Sequence, residues 1–189
     1  MKLMIASDLH GSAYYCRRLL DAFRREGADR LVLLGDLLYH GPRNPLPRDY
    51  DTVAVTGMLN EAAERLLCVR GNCDSEVDQM VLRFPMLGDS AWLLADGVQI
   101  YAAHGHLPGR SPEDPPALPR GSYLLCGHIH IPVRQDLGGC VYLNPGSLSL
   151  PKKNTPHSYL ILENGIFSWR DVETGEDFAP LTTYVGWND

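Results

Sequence analysis

The sequence predicts an α/β fold in which parallel strands lead into an antiparallel sheet, and two observations indicate it. Apolar runs of strand length alternate with helical patterns in the first half, which is typical of strand–helix–strand crossovers. In the second half, Asp96-Gly97 and Asn164-Gly165 each lie between two apolar runs and predict hairpins. The 189 residues, 44% of them hydrophobic, fit a single domain over residues 1–189, and no linker that would separate two domains is apparent.

The first half is predicted to contain three strands and two helices. Ser12 and Gly27 are placed to begin and end a helix over 13–26, whose apolar residues share one face. Asp51 is placed to cap a second helix, whose inner face is expected to extend to Leu66. The strands are expected at residues 2–6, 30–34 and 67–69.

The second half is predicted to consist mostly of strands. A loop with three prolines at 36–50 and a Pro- and Gly-rich segment at 107–120 are expected at the surface. Residues 174–189 form a tail that matches no pattern. The predicted strands are 92–95, 98–103, 123–126, 141–143, 159–162 and 166–169. Apolar residues of the tail are expected to contact the body of the protein or a partner subunit, and they are Leu181, Tyr184, Val185 and Trp187.

Composition argues against several classes of protein. The formal net charge of −6 disfavours stable binding to nucleic acid or to an anionic membrane through a basic surface. The longest apolar runs fall short of the roughly 18–20 residues of a membrane helix, and Asp8 ends the first run too early for a signal peptide. The five cysteines are an odd number without CxxC spacing, so we expect a reduced, cytoplasmic protein.

Polar side chains of three types follow five of the predicted strands. Asp, His and Asn bind metals of intermediate hardness, and ligands of α/β sheets bind at the carboxyl ends of strands. One histidine at such a place is usually a surface or hydrogen-bonded core residue, and one aspartate is usually a cap or turn residue. Turn formation does not explain their recurrence at five strand ends, so we predict a metal site. The residues concerned are Asp8, His10, Asp36, Asn72, His104, His106, His128 and His130.

These motifs, as a set, resemble the signature of the calcineurin-like metallophosphoesterases, and in particular that of the small bacterial YfcE-type phosphodiesterases. The resemblance covers about residues 1–170. The segments His40–Asn44, Arg70–Met80 and Asn144–Ser147 are shared with that subgroup. The motifs of the wider family are Asp8-Leu9-His10-Gly11, Gly35-Asp36, Gly71-Asn72-Cys73-Asp74, His104-Gly105-His106 and Gly127-His128-Ile129-His130.

The resemblance implies a four-layer β-sandwich flanked by helices, with two divalent metal ions at one edge. It also implies hydrolysis of a phosphoester by a hydroxide that bridges the ions, with Asp36, Asn72 and His10 in catalytic roles. Donors of nitrogen and oxygen without thiolate favour Mn²⁺, Fe²⁺, Co²⁺ or Ni²⁺ and are compatible with Zn²⁺, and the family suggests Mn²⁺. One ion would take Asp8, His10 and His130, the other Asn72, His104 and His128, and Asp36 would bridge both.

Cys73 is the clear departure from the wider family, in which many members have a histidine that helps to protonate the leaving group. A thiol does not replace that cation, and we expect Cys73 to be a small buried residue beside the substrate rather than a catalytic thiol. Asp74 and His106 are the alternative proton donors. Arg43 and Asn44 follow Asp36 in the chain and are candidates for binding the phosphate.

Three functions are compatible with these motifs. The first is hydrolysis of a small phosphodiester, and the second is hydrolysis of a phosphomonoester, including that of a phosphoprotein. The third is a non-catalytic scaffold, like the retromer subunit that shares this fold. The intact ligand set disfavours the scaffold, and the absence of a histidine at Cys73 favours diesters. The resemblance to the subgroup also suggests a homo-oligomer, either a dimer or a tetramer.

Overall fold

The computed structural model describes residues 1–183, and within them the chain forms eleven strands and three α-helices. The helices are α1 (Ala13–Glu26), α2 (Thr52–Glu61) and α3 (Glu76–Val81), with a 3₁₀ turn at Ala63–Arg65. The strands are β1 (Leu3–Ala6), β2 (Arg30–Leu33), β3 (Leu66–Cys68), β4 (Ser90–Ala95), β5 (Val98–Ala103), β6 (Ser122–Leu125), β7 (Pro132–Asp136), β8 (Cys140–Pro145), β9 (Ser158–Glu163), β10 (Ile166–Asp171) and β11 (Asp177–Phe178).

The strands form two mixed sheets that face each other. The order in the first sheet is β11-β10-β9-β1-β2-β3, and β1, β2 and β3 run parallel, as predicted. The order in the second sheet is β4-β5-β6-β8-β7. The expectation of an antiparallel second sheet is wrong in part, because β5, β6 and β8 are parallel. Long connections, rather than hairpins, join these three strands.

The core between the sheets depends on strands that are buried on both faces. On β1, Leu3 and Ile5 face the second sheet, whereas Met4 contacts the layer of helices, and all three are at most 1% exposed. A continuous apolar run is typical of such a strand. Leu160 of β9 and Leu143 of β8 meet in the core between the sheets. Each fully buried side chain of this size contributes about 1.5–3 kcal/mol.

Helices cover the outer face of the first sheet. Helix α1 begins as predicted, since the Ser12 hydroxyl accepts a hydrogen bond from the Tyr15 N–H (3.2 Å), and it ends at Gly27, which has φ 61°. Helix α2 ends at Glu61, so the expected helical face up to Leu66 is wrong. The 3₁₀ turn intervenes, and Leu66 begins β3, where it pairs with β2.

The outer face of the second sheet has a different cover. Leu118 of the 107–120 segment contacts a buried cluster on that face that includes Ile129 and Tyr142. No described helix takes part in this cluster. The predicted sandwich is therefore present, with its helical layer on the side of the first sheet.

Three described elements were not predicted from the sequence. Strand β7 begins with Pro132 and ends in three consecutive polar residues, and β11 has only two residues. Helix α3 has six residues, although Ser75 and Asp78 form a capping box that signals its start.

The described part of the tail contacts the body of the protein. The Leu181 N–H donates to the Pro132 carbonyl (2.9 Å), and the Leu181 carbonyl accepts from the Arg134 N–H (2.8 Å). Tyr184, Val185 and Trp187 lie outside the described residues. Among residues 1–183 we find no helix with both the length and the apolarity needed to span a membrane.

Candidate metal centre

The predicted site residues follow strands of both sheets at the edge where the strands end. Asp8 and His10 follow β1, and Asp36 follows β2. Five side chains of the centre sit on left-handed backbone, a conformation that is unfavourable for residues other than glycine. Their φ angles are 58° for Asp8, 49° for His10, 56° for Asp36, 71° for His128 and 63° for His130. These tight turns aim the side chains across the end of the sandwich.

Asp8, His10 and His130 form the first group of donors. The Nε2 atom of His130 lies 3.3 Å from Asp8 Oδ1, and that of His10 lies 3.7 Å from the same oxygen. The two Nε2 atoms are 3.2 Å apart. All three residues are at most 1% exposed.

The tautomers of these two rings follow from their hydrogen bonds. His10 Nδ1 lies 2.9 Å from the Tyr39 carbonyl, and His130 Nδ1 lies 2.7 Å from the Leu150 carbonyl. A carbonyl only accepts, so both Nδ1 atoms carry the proton, and in the neutral rings both Nε2 atoms are acceptors. Two acceptors at 3.2 Å beside a carboxylate need a shared proton or a cation between them.

His104, Asn72 and His128 form the second group. His104 Nδ1 donates to the Leu34 carbonyl (2.6 Å), which directs Nε2 towards the amide oxygen of Asn72 at 3.0 Å. The His128 ring lies beside His104, with 5.1 Å between the ring centroids. This group provides ring nitrogens and an amide oxygen without further negative charge.

Asp36 lies between the two groups. Its Oδ2 atom is 3.7 Å from His10 Nε2 and 3.5 Å from His104 Nε2, while Oδ1 accepts the Cys73 N–H at 2.8 Å. One carboxylate oxygen therefore faces donors of both groups, which is the placement that a bridging ligand requires.

The donor set fits divalent metal ions. Asp8 Oδ1 is buried and makes no hydrogen bond among the described residues, whereas Asp8 Oδ2 accepts the His128 N–H (3.1 Å). Ligand atoms of Asp8, His10 and His130 lie within 4.8 Å of one another, and so do those of Asp8, Asp36 and His104. An unsatisfied carboxylate oxygen surrounded by ring nitrogens is the environment that a cation would complete.

The shifted pKa values of the side chains also indicate that the centre requires positive charge. Burial raises the pKa of the Asp8 and Asp36 carboxyls, but the facing histidines outweigh it and both pKa values are lowered. Burial lowers the pKa of His104, but Asp36 outweighs it and raises that pKa to about 9. Burial, together with His104, lowers the pKa of His128 to about 3. The metal-free centre thus holds two ionised carboxylates and the protonated ring of His104.

Asp74, one of the two proton donors expected from the sequence, lines the same cleft as His106, and its role as a donor stays a prediction. Its Oδ2 atom accepts the N–H groups of Asp36 (2.8 Å) and Gly71 (2.7 Å), and Oδ1 accepts that of Leu37 (2.9 Å). Asp74 is 4% exposed. The carboxylate thus ties together the two loops that carry Asp36 and Asn72, and burial together with Asp36 raises its pKa to about 6.

Cys73 lies at the centre, with Sγ within 4.8 Å of ligand atoms of His10 and Asp36. Burial and the Asp36 carboxylate raise the pKa of its thiol, so it is neutral near pH 7. A neutral thiol fits the expected small residue, and it gives no support to a catalytic one.

The remaining predicted residues line two openings on either side of Asn72. Arg43, Asn44 and Cys73 border a cavity of about 30 Å³ that also contacts Asp36, and the Asn44 side-chain N–H donates to the His40 carbonyl (2.8 Å). His106 borders a cleft of about 310 Å³, together with Arg70 and Asp89. Asn72 borders both openings.

Residues 144–150 support the loops that carry the ligands. The Asn144 side-chain N–H donates to the Gly127 carbonyl (2.6 Å), and the Ser147 hydroxyl donates to the Asp8 carbonyl (2.9 Å). Sequence reasoning missed the carbonyls of Leu34, Tyr39 and Leu150, which orient the three rings. Since any residue provides a carbonyl, the sequence holds no signal for them.

Comparisons with known proteins agree with this geometry. Residues 1–165 match the family model of the calcineurin-like phosphoesterase superfamily domain. The chain is 48% identical to phosphodiesterase YfcE of Escherichia coli K12 over 168 residues, which are 89% of this chain and 90% of that protein. It is 34% identical to YsnB of Bacillus subtilis 168, described as a probable metallophosphoesterase, over 86% of this chain and 83% of that one. The solved structure of the E. coli phosphoesterase YfcE matches with a TM-score of 0.91 and 44% identity, over 96% of this chain and 99% of that chain.

Proposed function

Because the chain belongs to the calcineurin-like phosphoesterase superfamily, it is a hydrolase of phosphoesters, and we propose that it is a phosphodiesterase that uses two divalent metal ions. The identity to a named phosphodiesterase over most of both chains supports the diester substrate. The observation that carries the proposal of two ions is the position of Asp36 Oδ2 between His10 and His104.

Some residues of the chain would hold the ions, and others would position the substrate. Asp8, His10 and His130 would hold one ion, and Asn72, His104 and His128 the other. When bound, such a pair of ions supplies a nucleophile from water near neutral pH and neutralises the charge that develops on phosphate oxygens. Mn²⁺ is the ion we propose, because the donors are nitrogen and oxygen and the centre includes two carboxylates.

The carbonyls of Tyr39, Leu150 and Leu34 fix the imidazole rings, so the ring nitrogens do not have to reorient when a substrate binds. Arg43 lies at the rim of the small cavity, where a guanidinium can donate two parallel hydrogen bonds to a phosphate. We propose that Arg43 orients the phosphate, and that Cys73 allows space for it.

The side chains around the centre favour leaving groups that need no proton. Cys73 is not a cation, and the Asp74 carboxylate is held by three backbone N–H groups. His106 and Asp74 both line the cleft, and neither carries the fixed positive charge of a cation. We therefore propose a small aryl-type or otherwise good leaving group in the fastest substrates, and a faster reaction with diesters than with monoesters.

The test compares bis-p-nitrophenyl phosphate with p-nitrophenyl phosphate, with the protein depleted of metal and then reloaded with Mn²⁺. We expect hydrolysis to require the metal and to favour the diester. Asp36→Asn should lower kcat by several orders of magnitude, because a neutral amide bridges two cations weakly. Asp136→Asn is the matched control, since Asp136 lies on the exposed end of β7 and its acceptor oxygen is retained in asparagine.

Metal content is measured on both variants in parallel. A folded, metal-loaded Asp36→Asn variant with the wild-type rate would remove the bridging role. Preference for the monoester would instead indicate a phosphomonoesterase, and metal loading without hydrolysis of either ester would indicate a scaffold.

A further inference from the structure

Lys152 is attached to the metal centre through the backbone of a proposed metal ligand. The Lys152 N–H donates to the carbonyl of His130 at 3.1 Å. His130 in turn donates through Nδ1 to the carbonyl of Leu150 at 2.7 Å. The chain therefore passes from a carbonyl that orients the His130 ring to a lysine that is hydrogen-bonded to the same histidine.

A tight turn fixes the other side of Lys152. The Lys152 carbonyl accepts from the N–H of Thr155 (3.1 Å) and from its hydroxyl (2.8 Å). The two residues between them, Lys153 and Asn154, have φ angles of 55° and 57°. Two successive left-handed residues closed by this hydrogen bond are characteristic of a type I′ turn. Both the N–H and the carbonyl of Lys152 are thus engaged, which fixes the point from which its side chain leaves the backbone.

The side chain of Lys152 lies within electrostatic range of the centre. It is half-buried, and the charges that act on its ammonium include those of Asp8 and Arg43. Burial and Arg43 lower the pKa of Lys152, and together they outweigh Asp8, which raises it. Arg43 borders the small cavity that also contacts His130. Two cationic side chains therefore lie on the side of the centre that holds Asp8 and His130.

The positive charge on this side exceeds what a simple diester needs. A phosphodiester carries one negative charge, which is shared by its two non-bridging oxygens. The proposed metal ions and the Arg43 guanidinium would already serve those oxygens. A lysine ammonium near a guanidinium is repelled by it, and an anion that binds beside both offsets the repulsion. This arrangement fits a substrate that carries a further negative charge.

We propose that Lys152 binds a second anionic group of the substrate, a carboxylate or a phosphate on one ester substituent, while Arg43 orients the phosphate that is hydrolysed. The inference rests on the proposed phosphodiesterase function and names the class of its substrates. The ammonium is a compact charge with three donors on a flexible stem, which suits a terminal anionic group of varied geometry. The preferred substrates are then small diesters with one anionic substituent.

The test compares three p-nitrophenyl diesters whose second substituent is ethyl, 2-carboxyethyl or 2-phosphonoethyl. All three release the same leaving group, so they differ only in the added charge. Lys152→Met removes the ammonium and keeps an apolar stem, and Lys152→Gln is a second uncharged variant. Lys153→Met is the matched control, because it makes the same change at an exposed position of the same turn. All proteins are loaded with Mn²⁺.

We expect the wild type to have a lower KM for the two anionic diesters than for the ethyl diester. Both Lys152 variants should reduce this preference about tenfold, which is the effect of one hydrogen bond to a charged group. Lys153→Met should keep the wild-type preference. Calorimetric titration with 2-carboxyethyl methylphosphonate, which has no good leaving group, should show the same loss as a change in Kd without turnover. The KM values of the two anionic diesters show whether the group is a carboxylate or a phosphate.

Three results would overturn the proposal. The first is a wild type without preference for the anionic diesters. The second is an equal loss with all three diesters in Lys152→Met, since the ammonium would then contact the hydrolysed phosphate. The third is a loss of the preference in Lys153→Met. Failure of the wild type to hydrolyse the ethyl diester would instead contradict the proposed phosphodiesterase, and the calorimetric titration still tests Lys152 in that case.

Discussion

The donor atoms of the metal centre are oriented by backbone groups that neighbour them in space but not in sequence. His10, His104 and His130 each donate through Nδ1 to a carbonyl, at 2.9, 2.6 and 2.7 Å. Asp8 Oδ2 and Asp36 Oδ1 each accept a backbone N–H, which leaves the second oxygen of each carboxylate directed at the rings. The chain therefore fixes both the tautomer of each ring and the orientation of each carboxylate before any ion binds.

Asp74 provides a prediction at the residue scale. Asp74→Asn replaces one carboxylate oxygen by an N–H₂ group, so at least one of the N–H groups of Asp36, Leu37 and Gly71 loses its acceptor. A buried unsatisfied donor costs about 1–3 kcal/mol. We expect a lower free energy of unfolding, measured in urea, and a lower rate with every diester.

The rates with aryl and alkyl diesters separate this role from proton donation. If Asp74 only holds the loops, Asp74→Asn lowers both rates by the same factor. A proton donor would instead be needed for the alkyl diester, whose leaving group is poor. A selective loss of alkyl diester hydrolysis would contradict the structural role. Asp136→Asn again serves as the control.

At the scale of elements, the centre forms where loops after β2 and β3 approach closely. A Cβ atom on Gly71 would overlap both Asp36 Oδ1 and the Asp36 backbone nitrogen. Gly35, at φ 94°, lies against Gly71 from the other loop. Glycine at these two positions permits an approach that side chains would prevent.

Gly71→Ala should therefore separate the two loops. We expect it to destabilise the protein by about 1–3 kcal/mol, as overpacking does, and to weaken metal binding, because Asp36 must shift. Thermal unfolding and titration with Mn²⁺ measure the two effects. The matched control is Gly57→Ala, in the exposed middle of α2, where a Cβ atom meets nothing within 4 Å.

The control Gly57→Ala should change stability in the opposite direction. Alanine at an exposed helical position is favoured over glycine by about 0.5–1 kcal/mol, so Gly57→Ala should stabilise the protein without changing metal affinity. Equal metal affinity in Gly71→Ala and the wild type would show that the close approach of the loops is not needed.

At the scale of the whole molecule, a cluster around Glu26 ties the end of α1 to the first sheet. Glu26 accepts from Arg170 of β10 at 2.6 and 2.5 Å and from the Tyr159 hydroxyl of β9 at 2.9 Å, and Lys2 Nζ lies 3.2 Å away. Burial raises the pKa of the Glu26 carboxyl, but these partners outweigh it, and the pKa is lowered in the folded protein.

This lowered pKa predicts a pH dependence of stability. In the unfolded chain the Glu26 carboxyl has the ordinary glutamate pKa of about 4.3. The contribution of Glu26 is therefore present above that pH and is lost as the pH falls through the lower pKa of the folded state. The difference in free energy of unfolding between the wild type and Glu26→Gln should shrink on acidification. Both proteins are measured in EDTA, so that metal binding does not contribute.

Urea denaturation at neutral pH and at acid pH measures that difference. Glu61→Gln, an exposed substitution on α2, serves as the control and should change stability little at either pH. A difference between wild type and Glu26→Gln that is independent of pH would show that the charge of Glu26 does not stabilise the fold.

Periodicity and capping residues predicted part of the local structure. Ser12 and Gly27 mark the two ends of α1, and Asp96-Gly97 marks the hairpin of β4 and β5. The extent of α2 was predicted wrongly, because alanines after Glu61 continue the apolar pattern while pairing of Leu66 with β2 ends the helix. Tertiary pairing overrode a local preference there.

The sequence by itself determined the residue types of the centre and their placement after strands, because strand ends and ligand chemistry are local properties. Only the tertiary structure decided how they are used. It turned the Asp74 carboxylate towards backbone N–H groups, and it supplied carbonyls from Leu34, Tyr39 and Leu150 to orient the rings. Such contacts join residues far apart in the chain through backbone atoms common to every residue, so no side-chain pattern encodes them.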